Sequence, residues 1–358
     1  MIGRSRKETL SGNPSNHRTI PPSEKSQRRT DVLALGYGIG ACLLFTIAIW
    51  VFGRRFESIP FLPDQGYSWY YWKLPEKTMA GWLSAWGLYA IHQISHFILI
   101  WYVQTRVREY TTGLHRFNVL ALALNGVFVL LHFLQTHLWY DGLAQDHPPQ
   151  YPQYSVILLL VWVLLMENQR RGLFLGRKVP IGKQITSFAL KYHGYIFSWA
   201  ILYTFWYHPM HPSLGHLSGF FYTFLIMLQG SLFFTRIHTN RYWTFVQEFL
   251  VLVHGSIVAY FQGPNIWPMF LFGFAGIFIL TQMHGLGLSR RVRWLFAGSF
   301  IIGIAWVYRN RGYDRLDEVL RIPIADYVLV VILALILGFG IFVFNLCSGK
   351  TKLWRHSQ

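Results

Sequence analysis

The chain has 358 residues, 53% of them hydrophobic, 18% aromatic and only 13% charged. Soluble domains carry roughly 25% charged residues, so this composition excludes an ordinary soluble fold and points to a bilayer as the solvent. The net charge of +17 is scattered over several basic segments with no single patch, which argues against nucleic acid as a partner. Cys42 and Cys347 stand far apart, so a disulfide framework or a thiolate metal centre is excluded too.

Residues 1–30 are rich in Ser, Pro, Asn and Arg and lack an apolar run, so they read as a disordered basic cytoplasmic tail and not as a secretory signal. Apolar segments then recur at about 31–53, 79–103, 117–140, 153–168, 184–207, 216–235, 243–262, 266–288, 292–308 and 326–347. Most approach the roughly 20 residues that cross about 30 Å of hydrocarbon; the fourth and ninth are the shortest. The expected fold is all-α: a polytopic membrane helix bundle of about ten transmembrane helices spanning 31–347, followed by a basic cytoplasmic tail at 348–358.

Lysine and arginine set the orientation. The N-terminal tail, the loop from Arg106 to Arg116, NQRRGLFLGRK, Arg236 with Arg241, SRRVR and KTKLWR fall on one side if every segment crosses once. DGLAQDHPPQ, HPMHPSLG and GPNI fall on the other and hold no lysine or arginine. That alternation places both termini in the cytoplasm of a plasma or bacterial inner membrane. The exceptions are Arg54 with Arg55 and the segment YRNRGYDRLDEVLR, near the acids Asp314, Asp317, Glu318 and Asp326. This segment reads as an amphipathic helix on the outer surface. The basic excess implies membrane lipids as partners through their anionic headgroups, and partner membrane subunits are compatible with the same composition.

Fifteen histidines equal the number of Asp plus Glu, and depth along the spans sorts them into two layers. An inner layer holds His92, His96, His193, His254 and His284 with Glu248 and Gln282. An outer layer holds His132, His137, His147, His208, His211 and His216 with Asp141 and Asp146. His92 and His96 share a helical face, suited to one metal or to two stacked cofactors, or to hydrogen bonds across the bundle. Glu248 and His254, six residues apart, diverge by about 120° and serve different partners. Iron, a proton, or an ion pair with Lys191 or Arg241 each account for that carboxylate. Imidazoles with a nearby carboxylate suit zinc, iron or copper at the outer layer, whereas an interfacial loop would use histidine beside Trp206 and Tyr207 simply as an anchor. His238, Asn240 and Arg241 lie where a lipid phosphate or other anion would be attracted. The glycines of TQMHGLGLSRR fit a flat ring or a helix C-cap.

The HxxxH element of the second segment resembles one histidine box of membrane desaturases and alkane hydroxylases, but the chain has no HxxHH box. It also lacks GxGxxG, P-loop, HExxH and GxSxG signatures. The expected function is a membrane oxidoreductase holding haem b or non-haem iron on the inner histidines, with a lipid- or quinone-like substrate. Copper or zinc fits the outer layer. The alternatives are a non-catalytic integral subunit, whose histidines bind pigment or haem or only structure the bundle, and a transporter. For a transporter, one membrane glutamate is sparse provision.

Overall fold

The structure, a computed structural model, describes residues 22–348 except 64, 66–69, 108 and 264. Its described residues form helices and connecting turns with no strand. The helices are α1 (Pro22–Gly53), α2 (Met79–Arg106), α3 (Arg116–Trp139), α4 (Gln150–Arg171), α5 (Lys183–Tyr207), α6 (Leu214–Ser231), α7 (Arg241–Gln262), α8 (Trp267–Leu280), α9 (Arg290–Arg311) and α10 (Glu318–Cys347). Several begin at side-chain caps: Thr78 accepts from the Gly81 N–H, Ser213 from His216, Asn240 from Tyr242 and Trp243, and Ser289 from Val292. Each cap satisfies donors that would otherwise be orphaned at a helix start.

Seven stretches are long and apolar enough to cross a membrane: Thr30–Ser58, Met79–Arg106, Arg116–Trp139, Gln150–Arg171, Arg241–Phe261, Trp267–Gly285 and Tyr313–Cys347. α5, α6 and α9 lie outside that set. α9 carries arginines at both ends, and α5 and α6 interleave histidine, tyrosine, serine and glutamine with their apolar residues. The bundle is therefore supported as helical, and its apolar helices are compatible with a membrane protein.

Two expectations are corrected. The first helix starts at Pro22, inside the segment read as disordered, while 1–21 and the tail beyond 348 lie outside the described residues. The segment from Tyr308 to Arg321 is no separate surface helix. Gly312 turns the chain at φ 103°, a left-handed conformation that other residues resist, and Arg311 closes the corner by pairing with Glu318 at 2.9 Å.

Successive helices run up and down. Gly38 and Gly53 of α1 face Leu228 and Pro212 near the two ends of α6, and Trp162 of α4 donates to the Ala189 carbonyl of α5. α4 packs on α5, α5 on α6, α6 on α7, α7 on α8, α8 on α10, and α10 returns to α4. Six helices thus close a ring. α1, α2 and α3 pack against its α5–α6 side, where Phe205, Trp206 and Tyr207 are completely buried; α9 packs on α8. One end of the bundle gathers the described residues of 54–63 and 70–78 with 140–149, 208–213, 265–266 and 312–317. The opposite, basic end gathers 109–115, 172–182, 232–240 and 281–289.

Candidate functional site

The loop His208–Ser213 and the first turn of α6 bring three histidines together at the end opposite the basic one. The His216 ring lies 5.4 Å from that of His208 and 5.6 Å from that of His211, centre to centre. His216 is held on both nitrogens, by the Tyr70 hydroxyl at 2.8 Å from Nε2 and the Ser213 hydroxyl at 2.7 Å from Nδ1. Tyr140 reaches His211 Nδ1 at 3.1 Å. It does so from a left-handed backbone conformation, φ 64°, at the C-cap of α3, which a non-glycine residue adopts only at some cost. His208 Nδ1 donates to the Thr204 carbonyl at 3.1 Å, and the His208 carbonyl accepts from His132 Nε2 at 2.9 Å.

A cap covers this cluster. Trp72 stacks edge-on against His216 at 4.4 Å, and Gln145 fastens the segment by bonding both the Leu74 N–H and the Trp72 carbonyl. Burial holds His208 and His211 down at about 4, so both imidazoles are neutral near pH 7. Burial also pushes the Tyr70 phenol well above its ordinary range. Beside the cap, Asp141 is 1% exposed and its two carboxylate oxygens make no hydrogen bond of normal geometry. The carboxylate presses on the first turn of α2 so closely that a Cβ on Gly81 would fall 2.0 Å from Oδ2. Burial raises it to about 6, with Thr78 partly offsetting the rise. Asp146 is also penalised by burial, yet it is held below its ordinary value because Lys77 and the Trp86 N–H favour its charged form.

The inner layer divides. His92 and His96 both donate from Nε2 to Asn125 Oδ1, at 3.0 and 2.9 Å, and His92 Nδ1 accepts from the Trp206 indole at 3.2 Å. Asn125 passes the chain to the Ser231 hydroxyl at 2.9 Å. His193 and His238 face each other at 6.4 Å. His284 bonds the Ile279 carbonyl at 3.1 Å. His254 is corrected in depth: its Nδ1 meets Ser218 at 3.2 Å, one turn into α6, which places it beneath the outer cluster. Glu248 pairs with Arg171, at 2.7 and 2.8 Å, and not with Lys191 or Arg241. Arg171 ends α4 facing into the ring, so the cation expected in the basic loop is fully buried. A cavity of about 10 Å³ touches Glu248, Gln282, Leu160, Val251, Phe274 and Ile277.

The outer expectations divide as well. His137 bonds the Phe133 carbonyl and packs on Phe56; Tyr140 joins it to the cluster only indirectly, touching Phe56 and His211. His147 holds the Tyr203 hydroxyl at 2.8 Å. Asn240 spends its side chain capping α7, and Arg241 turns to the Tyr242 hydroxyl. Among the described residues, no group of three or more His, Cys, Asp or Glu is arranged to hold a metal ion. Each ring nitrogen of His216 already has a hydroxyl partner, which is why proximity of three imidazoles does not amount to a ligand set.

Sequence reasoning missed Tyr70, Tyr140, Asn125, Tyr222 and Arg171. Asn125 was the most accessible of these, as a lone amide inside the apolar run LALNGVF. Tyr222 bonds the Gln247 carbonyl at 3.0 Å and its ring stands 6.0 Å from that of His254. With it titratable side chains follow one another in a file from the cap toward the basic end: Tyr70 bonded to His216, His254 close enough to His216 to act on it electrostatically, Tyr222 likewise close to Glu248, then Arg171, Glu167, His193 and His238. Glu167 joins by an ion pair to Arg171 at 3.7 Å and lies close enough to His193 to act on it electrostatically. No family model, curated protein or solved structure matches the chain.

Proposed function

We propose that the chain is an integral membrane protein of ten crossings with cytoplasmic termini, and that it carries protons through the six-helix ring, alone or coupled to a solute. The observation that supports this reading is the file itself. Buried titratable groups in a membrane bundle are costly and mark ion and proton pathways, and here they continue from one end of the ring to the other instead of stopping at one pocket. Imidazole and phenol suit the task, because each both accepts and donates a proton.

The test is proton uptake into vesicles containing only the purified protein, driven by a potassium diffusion potential and read with an enclosed pH dye. Unaltered protein acidifies the vesicles faster than empty ones, and His254→Phe and Tyr222→Phe slow the rate while leaving the fold intact. Flux equal to empty vesicles, or unchanged in both variants, overturns the proposal.

A second reading keeps a histidine-held redox centre, with haem b or iron, acting on a lipid- or quinone-like substrate. The observation favouring it is that His208, His193 and His238 each commit Nδ1 to a backbone carbonyl, the way metal-bound imidazoles are commonly oriented. An absorption spectrum with iron analysis decides it: a Soret band or stoichiometric iron supports this reading, and neither removes it.

A further inference from the structure

We propose that His193 and His238 bind one first-row transition-metal ion, of the copper, nickel or zinc class, at the basic end of the bundle. His193 sits on α5 and His238 in the short turn Ile237–Thr239 that precedes α7, so two separate segments supply the pair. Their ring centres are 6.4 Å apart with planes inclined by 36°. His193 Nδ1 donates to the Leu190 carbonyl at 2.6 Å and His238 Nδ1 to the Gln229 carbonyl at 2.9 Å. With the proton fixed on Nδ1, each Nε2 keeps its lone pair, and neither Nε2 makes a hydrogen bond among the described residues. Gln229 holds its partner from both sides, since its amide also donates to the His238 carbonyl at 2.9 Å. A backbone carbonyl fixing the distal nitrogen is the outer-shell arrangement that sets tautomer and ring orientation in metal sites.

The spacing is close to what an ion requires. Nitrogen-to-metal bonds of about 2.0–2.1 Å let two imidazoles on opposite sides of one ion hold their centres roughly 6 Å apart, and the 6.4 Å separation of the two rings is of that size. Two nitrogen ligands select copper, nickel or zinc over calcium or magnesium, which take oxygen. Glu167 is already tied to Arg170 and Arg171 and serves as a nearby counter-charge, leaving the remaining positions to solvent. The site stands on this geometry and not on the proton reading.

The experiment titrates Cu²⁺ into the detergent-purified full chain, with His17 and His356 replaced by alanine in every sample because they lie outside the described residues. Binding is followed by calorimetry and by electron paramagnetic resonance. One Cu²⁺ per chain with hyperfine structure from two nitrogens is expected. His193→Gln and His238→Gln should each weaken binding by about tenfold or more, with His211→Gln unchanged. Should a glutamine variant unfold, protection by Cu²⁺ of His193 and His238 from diethylpyrocarbonate, mapped by mass spectrometry on the otherwise unaltered chain, gives the same decision. Absence of saturable binding, binding indifferent to both variants, loss only with His211→Gln, or no protection of either histidine overturns the site.

Discussion

The contact of α2 with α3, α5 and α6 and the interior of the six-helix ring use the same residue type in opposite ways. In the first, His92, His96, Asn125, Trp206 and Ser231 pass hydrogen bonds from one to the next until the Ser231 hydroxyl ends on the Met227 carbonyl. His92 has no nitrogen left to give. In the second, His254, His193 and His238 each bond through Nδ1 only and remain half-buried. A histidine whose bonding capacity is exhausted fastens helices; one with a lone pair left over can still accept a proton or a ligand. Counting histidines by depth does not separate these cases, and counting their partners does.

The largest effect tests the charged step of the file. Glu248→Ala would leave Arg171, whose side chain is 0% exposed, without its bidentate partner. Only the longer contact to Glu167 at 3.7 Å would remain, and breaking a buried pair by removing one partner costs about 3–5 kcal/mol, read as a shift in the unfolding curve in detergent. Replacing both partners, Arg171→Met with Glu248→Leu, should recover most of that loss. A loss below about 1 kcal/mol in the single variant would mean that the pair is solvated, and the file would be broken there.

Next comes the closed knot. Asn125→Leu strips the acceptor from two imidazole N–H groups at once, and a buried donor left unpaired costs about 1–3 kcal/mol, so a total of at least about 2 kcal/mol is expected. Proton flux and Cu²⁺ binding should be unaltered in the surviving fold. Loss of either function with stability intact would show that the knot belongs to the site.

Acidity gives a smaller, signed effect at the cap. Asp141 is raised to about 6 by burial, so the folded chain holds this proton more tightly than the unfolded one. Stability from this group is fully present below the unfolded value near 4, falls as pH rises from about 4 to 6, and is flat above. The total is on the order of 2–3 kcal/mol. His208 and His211, held at about 4 by burial, act in the other direction: their contribution is present above about 6.5 and is lost as pH falls toward 4. The melting temperature of Asp141→Asn relative to the parent should therefore rise between pH 4 and 6. A flat difference would show that the carboxylate is solvated.

Much of the helical architecture was legible because apolar runs near the length of a bilayer leave few alternatives. What the sequence concealed was partnership. Arg171 read as a loop cation because RRG looks like a topology signal, yet α4 runs to that residue and turns it inward. Depth along one span alone puts His254 in the inner set, whereas Ser218 on the antiparallel neighbour fixes its level. Tyr70 lies outside every apolar run and reaches His216 only because the chain doubles back over the bundle, a contact across 146 positions that no local pattern encodes.

The smallest expected effect is the most discriminating one for the open file. His254→Ala removes a single bond to Ser218, and that hydroxyl keeps its own bond to the Gly215 carbonyl at 3.1 Å, so no donor is left stranded. Hydrogen bonds between membrane helices average about 0.6 kcal/mol, and the unfolding curve should move by no more than about 1 kcal/mol, well under the Asn125→Leu shift. The two variants also differ in readout, since proton flux should fall with His254→Ala and hold with Asn125→Leu. If His254→Ala proves as destabilising as Asn125→Leu, the imidazole is a fastener like His92, and the distinction between closed and open histidines fails at the residue on which the proton file depends.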